Sequence, residues 1–286
     1  MKFTIVTPCW NAAATIRRTI DSILGQRALS QGSCELQYII ADGGSTDGTV
    51  DIAREYDDPR IEIISERDRG MYDALVKGLR RTSGDVVAYL NAGDSYSPTA
   101  FGTVRTILTE NPSVRWLTGC CCYANEYEEM ISFSRPKAYS RLFAEAGLYD
   151  GKSFPSIQQE STFWRADLHS SLDLDRLAKM RLAGDYYMWT QFARVTDLHT
   201  VYTHLASFSY QKGQLSENTA AYDAEIDSVR PQVSRAVKLA AKRDRSPKRG
   251  RWAPLAPFLP KPTFGGVYYF DIKNHVWTTK PEAACP

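Results

Sequence analysis

The sequence predicts an α/β fold whose first hundred residues wind a parallel sheet covered on both faces. Two observations carry that prediction: strand-like runs alternate with helix-like stretches, and the runs are apolar throughout instead of alternating in polarity. The strand-like runs are FTIVT (residues 3–7), LQYIIAD (36–42), RIEIIS (60–65) and DVVAYLN (85–91). Helices are expected near 14–26, 48–56 and 71–81, and from Pro98 towards Glu110. This is the pattern of a Rossmann-like half.

After Pro112 the pattern changes. RWLTGCCCYA, MISFSR and LHTVYTHLASFSYQ (198–211) read as strands, AYSRLFAEAG as a short helix and GDYYMWTQFARV (184–195) as an amphipathic one. No repeat or low-complexity linker separates the halves. Residues 1–217 are therefore expected to form one domain, with 1–111 and 112–217 as its two halves. From Asn218 to Lys242 a helix is expected that Pro231 must kink or divide. The prolines, aromatics and cations that follow, KRDRSPKRGRWAPLAPFLPKPTFGGVYYF, make residues 218–286 a helical and basic/aromatic appendage.

At 286 residues, 43% of them hydrophobic and 12% aromatic, the chain has material for a large core, which excludes disorder of the whole. No apolar run approaches the 18 or so residues of a membrane span, and MKFTIVTPCW is too short and too interrupted for a signal peptide, so a cytoplasmic protein is expected. The six cysteines lack paired C-x-x-C spacing and are expected to be reduced and buried, with Cys121 pointing away from Cys120 and Cys122. The formal charge of +2 hides an asymmetry: from Arg230 onward there are 12 Lys/Arg against 3 Asp/Glu. An acidic body carries a basic tail.

In open α/β sheets ligands bind beyond the carboxyl ends of the strands. The four strands are followed by TPCWNAAATI, ADGGSTDGT, ERDRGMYDALVKG and NAGD, each bearing Asp or Asn. Turn chemistry explains much of this, since Asn, Asp and Gly favour turns, and Ser45 and Thr46 suit a helix entry. It does not explain Asp42 at the very end of a strand. There is no G-x-G-x-x-G and no G-x-x-x-x-G-K-[ST], which argues against a dinucleotide oxidoreductase and a P-loop nucleotidase. A nucleotide held by carboxylates and a metal remains.

The blocks IVTPCWNAAATIRRTIDSI, YIIADGGSTDGTVDI, ERDRGMYDALVKGLRRTSGDVVAYLNAGD and QQESTFWRADL…LAGDYYMWTQFA resemble, in order, those of the family 2 glycosyltransferases. The resemblance covers roughly residues 3–216. It implies a GT-A fold, a three-layer sandwich with a mixed central sheet, and inverting transfer from a nucleotide-sugar donor, with uridine the preferred base. It further implies that Asp42, beside Gly43, holds base or ribose, with Thr7, Pro8 and Asn11 packed next to it. Asp68, Gly70, Met71, Asp73 and Lys77 would close over nucleotide and diphosphate, although Lys77 also reads as a solvated helix residue. Asn91, Ala92, Gly93 and Asp94 align with the acidic DxD-type motif, and Asp94 would reach an Mg²⁺ or Mn²⁺ on the diphosphate. Asn91 and Gly93 depart from that pattern, and Gln211 stands where many relatives place a histidine.

For the chemistry, the resemblance makes Asp185 the general base that takes the proton of the acceptor hydroxyl. An Asp after Gly at a helix start is also good N-cap chemistry. Glu160 is the rival carboxylate, or else it orients acceptor or donor sugar. Trp164 and Arg165 either stack on sugar or pack. The acceptor would be a glycan or lipid-linked saccharide of cell-surface polysaccharide synthesis. The tail, residues 235–270, would rest on an anionic membrane surface at the inner face of the plasma membrane or make a homo-oligomer contact. No nucleic-acid partner is expected, for lack of a recognisable module. The competing expectation is a degenerate nucleotide- or glycan-binding protein of the same fold.

Overall fold

Strands with apolar residues on both faces need cover on both sides, and the computed structural model gives it to the central ones. It describes residues 1–135, 137–211, 213–214, 217–246 and 254–279. The strand β1 (Lys2–Cys9) is buried from Phe3 onward. It pairs in parallel along its whole length with β2 (Glu35–Asp42), which pairs in parallel with β3 (Ile61–Ser65). On its other side β1 pairs in parallel with β4 (Val86–Tyr89). The strand order therefore reverses at β1, between β2 and β4, and opens a crevice at their carboxyl ends.

Beyond β4 the sheet becomes mixed. A four-residue strand that the sequence did not announce, β8 (Thr162–Arg165), runs antiparallel to β4 and, on its far edge, to β6 (Trp116–Ala124). The long β9 (Leu198–Ser209) lies parallel to β6. A two-residue strand β5 (Ser95–Tyr96) also pairs with β9, and β7 (Met130–Phe133) with β6. Residues 267–279 of the expected appendage join the sheet: β10 (Val267–Asp271) pairs with β9, and β11 (Val276–Thr279) closes the edge. Gly265 permits this, since a Cβ there would strike the Leu198 carbonyl.

The helices follow apolar periodicity. In α1 (Ile16–Leu24) the buried residues are Ile16, Thr19, Ile20 and Ile23, one face of the helix. After α2 (Arg27–Ser30), the helices α3 (Thr49–Arg54), α4 (Met71–Leu79) and α5 (Ala100–Glu110) complete the first half. The second half holds α6 (Arg141–Glu145), α7 (Leu174–Leu177) and α8 (Gly184–Ala193). The stretch expected as one kinked helix is two, α9 (Thr219–Val229) and α10 (Arg235–Arg245), broken across Pro231. Among the described residues no helix is long and apolar enough to cross a membrane.

Aromatic rings fill the seam at β8. Trp164 is fully buried, with its ring 6.0 Å from Trp189 and 6.4 Å from Tyr89, and Trp116 stacks on Trp189 at 5.5 Å. Arg165 donates to the carbonyls of Val114 and Leu108. Both residues pack within the fold. Cys9, Cys34, Cys120, Cys121 and Cys122 are buried free thiols, and Cys285 lies outside the described residues. Cys121 finds cover like its neighbours, because the sheet is clothed on both faces and its pairing with β9 shifts register at Gly119 to Cys121. Replacing Trp164 with Ala leaves a large cavity at the seam and is expected to cost about 3–5 kcal/mol, read from urea unfolding.

Candidate active site

At the crevice where the strand order reverses lies a cleft of about 860 Å³, within the range of small-molecule sites. Of the residues singled out in the sequence, Pro8, Asn11, Asp68, Gly70, Met71, Asn91, Ala92, Asp94, Glu160, Asp185 and Gln211 line it. Thr7, Asp42, Gly43, Asp73, Lys77 and Gly93 stand behind its walls.

The reason is local bonding. Asp42 is 2% exposed, and its Oδ2 accepts from the N–H groups of Gly44 and Ser45 and from the Ser65 hydroxyl, while Oδ1 accepts from the Ser45 hydroxyl. A carboxylate so occupied holds the loop that follows β2. Gly43 leaves the space that the Asp68 side chain takes, since a Cβ would collide with it. Thr7 is fully buried and accepts from the Tyr38 hydroxyl at 3.1 Å. Asp73 pairs with Arg69 at 2.9 Å, and Lys77 pairs with Glu66 at 3.1 Å and donates to the Arg67 carbonyl. These two brace the loop before α4 from outside.

Asn11 ties the first two loops together. It takes a positive φ of 46°, which Asn tolerates better than most residues, and its Oδ1 accepts from the Thr46 N–H while its own N–H donates to the Ser45 hydroxyl. Asp68 accepts from the Gly70 N–H, and burial raises its pKa above the usual carboxylate value. Exposed Trp10 adds an apolar lip.

The NAGD turn is fastened from two sides. Gly93 sits at φ 109° and donates its N–H to Thr19 Oγ1, which in turn donates to the Asp94 carbonyl. Pairing of β5 with β9 carries Ser209 to the turn, and the Ser209 N–H donates to Asp94 Oδ1 at 2.9 Å. Asp94 is 3% exposed, and burial, followed by the charge of Glu160, holds its carboxyl well above the ordinary value, opposed by the Ser209 N–H and Arg18. Nearby, Asn91 donates through Nδ2 to Gln159 Oε1, leaving its buried Oδ1 without a partner among the described residues.

Glu160 precedes β8 and is 6% exposed. Burial raises its pKa to about 7, its own backbone N–H opposes this, and the charge of Asp185 adds to it. The Cys121 thiol lies 3.8 Å from Glu160 Oε2. Asp185 is the second residue of α8, after the N-cap Ala183, so it is not the cap itself. Burial raises its pKa to about 6, against the N–H of Tyr186 and the Tyr72 hydroxyl. Asp94, Glu160 and Asp185 thus share one cleft with Asp68, each made easier to protonate by burial.

Several partners of these carboxylates are invisible to sequence spacing. The Tyr72 hydroxyl accepts from the Asp185 N–H at 3.1 Å, and the Tyr222 hydroxyl, from α9, lies 3.5 Å from Asp185 Oδ1. One turn further along α9, Glu225 accepts from three successive N–H groups, those of Arg181, Leu182 and Ala183, at 2.6–2.7 Å. It fixes the approach to α8 by charge-assisted bonds to the segment just ahead of the helix. The signal that existed was modest: a Tyr and a Glu three residues apart in the expected helix.

The donor set suits a hard divalent cation. Asp94 offers a carboxylate and Asn91 an unpartnered amide oxygen, which together with oxygens of a bound diphosphate and water match the preference of Mg²⁺ or Mn²⁺. Among the described residues no group of three or more His, Cys, Asp or Glu could hold a metal, so the ion would depend on the donor for most of its ligands.

Because the folded pKa of Glu160 lies above its unfolded value, the folded state prefers the protonated form. That contribution to stability is fully present below about pH 4 and is lost as pH rises through about 7. Glu160→Gln should therefore be more stable than the parent at pH 8, by roughly 3 kcal/mol, with the difference closing towards pH 4. Urea unfolding across that range measures it.

Residues 4–136 match the model of Glycosyl transferase family 2. A PGL/p-HBAD biosynthesis glycosyltransferase of Mycobacterium bovis (strain BCG / Pasteur 1173P2) is 34% identical over 113 residues, 38% of this chain and 42% of that protein. The matched segment is less than half the length of such curated relatives. Among solved structures, S. aureus TarS 1–349 in complex with UDP-GlcNAc superposes with a TM-score of 0.59 at 13% identity, covering 80% of this chain and 65% of that one. The mannosyltransferase PcManGT of Pyrobaculum calidifontis, in complex with GDP-Man and Mn²⁺, gives 0.58 at 19%, covering 84% and 68%. Residues 4–136 are thus a family 2 glycosyltransferase domain, and the chain as a whole has the GT-A fold of these enzymes.

Proposed function

We propose that this chain is an inverting glycosyltransferase that moves a sugar from a nucleoside-diphosphate sugar, of the UDP type, to a hydroxyl of a glycan or lipid-linked saccharide in cell-surface polysaccharide synthesis. The observation that carries the reading is the meeting of Asp94, Glu160 and Asp185 in one cleft at the point where the strand order reverses. Solved proteins of the same fold that hold UDP-GlcNAc, and GDP-Man with Mn²⁺, support it.

Pro8, Asn11, Asp68, Gly70 and Met71 would face the nucleotide end of the donor, while Asp42, Gly43, Thr7, Asp73, Lys77 and Gly93 shape the wall that they stand in. Asp94 and Asn91 would hold Mg²⁺ or Mn²⁺, which when bound neutralises the charge that grows on the leaving diphosphate. Asp185 takes the acceptor hydroxyl's proton as that oxygen attacks the anomeric carbon from the face opposite the diphosphate. A pKa of about 6 leaves it ionised near neutrality yet basic enough to accept the proton. Tyr72 and Tyr222 orient it by their hydroxyls. Glu160, with a pKa of about 7, can donate a hydrogen bond to a sugar oxygen in its protonated form and so orient acceptor or donor. The basic tail would serve at an anionic membrane surface on the cytoplasmic side, or as a contact between copies of the chain; its residues 247–253 lie outside the described ones.

Asp185→Asn is expected to lower kcat by about 10²–10⁴-fold while UDP binding by calorimetry persists, and the parent's kcat/KM should fall as pH drops through about 6. Loss of UDP binding in the variant would point to a structural role instead. Asp94→Asn should remove the gain in thermal stability that Mn²⁺ adds to UDP, measured as the shift in Tm with both ligands over UDP alone. An undiminished Mn²⁺ effect would take Asp94 out of the metal site.

A further inference from the structure

A second cavity, of about 880 Å³, opens between the segment 148–153, the break between α9 and α10, and α10 itself. Its cations fall into two sets. Lys152 pairs with Asp223 at 2.8 Å, and Arg230 pairs with Asp150 at 2.8 Å and Asp227 at 3.1 Å, so these charges are met. Lys238, Lys242 and Arg245 are not: among the described residues no carboxylate pairs with any of them, and the Arg245 guanidinium meets only the Ser153 carbonyl and the Phe154 ring. The floor is apolar, with Leu148 and Ala241 buried and Val233 beside them.

Cations near a helix C-terminus are favourable on their own account, and that explains Lys242 and Arg245 in the last turn of α10. It does not explain Lys238, two turns from the end, nor why the three stand at spacings of four and three residues around one cavity. Three like charges over an apolar floor are complementary to an anion joined to a hydrocarbon chain.

The cavity also adjoins the cleft. Ser153 lines the cavity and Ser156 the cleft, and three residues span at most about 11 Å. The helix α9 bridges the two, with Tyr222 at the cleft and Arg230, just past its end, at the cavity.

We propose that this second cavity binds the phosphate ester of a hydrocarbon-chain amphiphile through Lys238, Lys242 and Arg245, with the first carbons of the chain on Leu148, Val233 and Ala241. Resting on the transferase reading above, the bound amphiphile is the anchor of the acceptor, whose saccharide extends past residues 153–156 into the cleft.

Calorimetry on the full chain with three probes, farnesyl phosphate, inorganic phosphate and farnesol, tests it without any transfer reaction. Farnesyl phosphate should bind at least about tenfold more tightly than either of the other two, and Lys238→Ala combined with Lys242→Ala should weaken it by about tenfold or more while UDP affinity stays unchanged. The proposal is overturned if inorganic phosphate binds as well as farnesyl phosphate, which would make the cavity a simple anion site, or if the double variant keeps its affinity. It is also overturned if that variant loses only flotation with phosphatidylglycerol vesicles, which would make the lysines a diffuse membrane contact. Farnesyl phosphate binding in a protein that transfers no sugar would leave the cavity standing and count against the transferase reading alone.

Discussion

The short strand β8 is the joint on which the site depends. Pairing antiparallel to β4 on one edge and to β6 on the other, it converts two separate stretches of sheet into one and seals the seam with buried tryptophans. Its position places Glu160 just ahead of it, beside the end of β4, where Gln159 reaches both Asn91 and the Tyr89 carbonyl. The β5–β9 pairing, which brings the Ser209 N–H to Asp94, and the bond between Tyr72 and Asp185 complete the relation between the NAGD turn and the two acidic residues of the second half. The four residues of β8 thus place Glu160, while β9 and α8 place Asp94 and Asp185.

Burial then gives those carboxylates their character. A carboxyl group withdrawn from water resists ionising, and neighbouring carboxylates reinforce one another. Asp94, Glu160 and Asp185 all titrate above their ordinary values, so the cleft stores negative charge reluctantly in the absence of ligand. A cation arriving with a diphosphate would relieve that reluctance, which is a physical reason for metal and donor to bind together. The arrangement lowers stability at neutral pH, a cost that the proposed binding of a cation with the donor would offset.

The stretch after residue 217 is more closely bound to the site than a tail would be. Glu225 secures the start of α8, Tyr222 touches Asp185, and β10 extends the central sheet from β9. All three lie outside residues 4–136, the segment that the family model matches.

The sequence by itself determined the parallel half and its polar strand ends, because continuous apolar runs and the turn residues after them are local properties. It also placed the helix that bears Asp185 and the break at Pro231, for the same reason. What it did not reveal was β8, since four residues carry no periodicity of their own and become a strand only when β4 and β6 flank them. Nor could it sort the strand-end residues into those that face the cleft and those that stand behind it. Asp42 and Asp94 look alike as acids at strand ends, but one is consumed by the hydroxyls and N–H groups of its own loop while the other is turned inward by a strand 115 residues away. Only long-range pairing, which no local pattern encodes, decides between them.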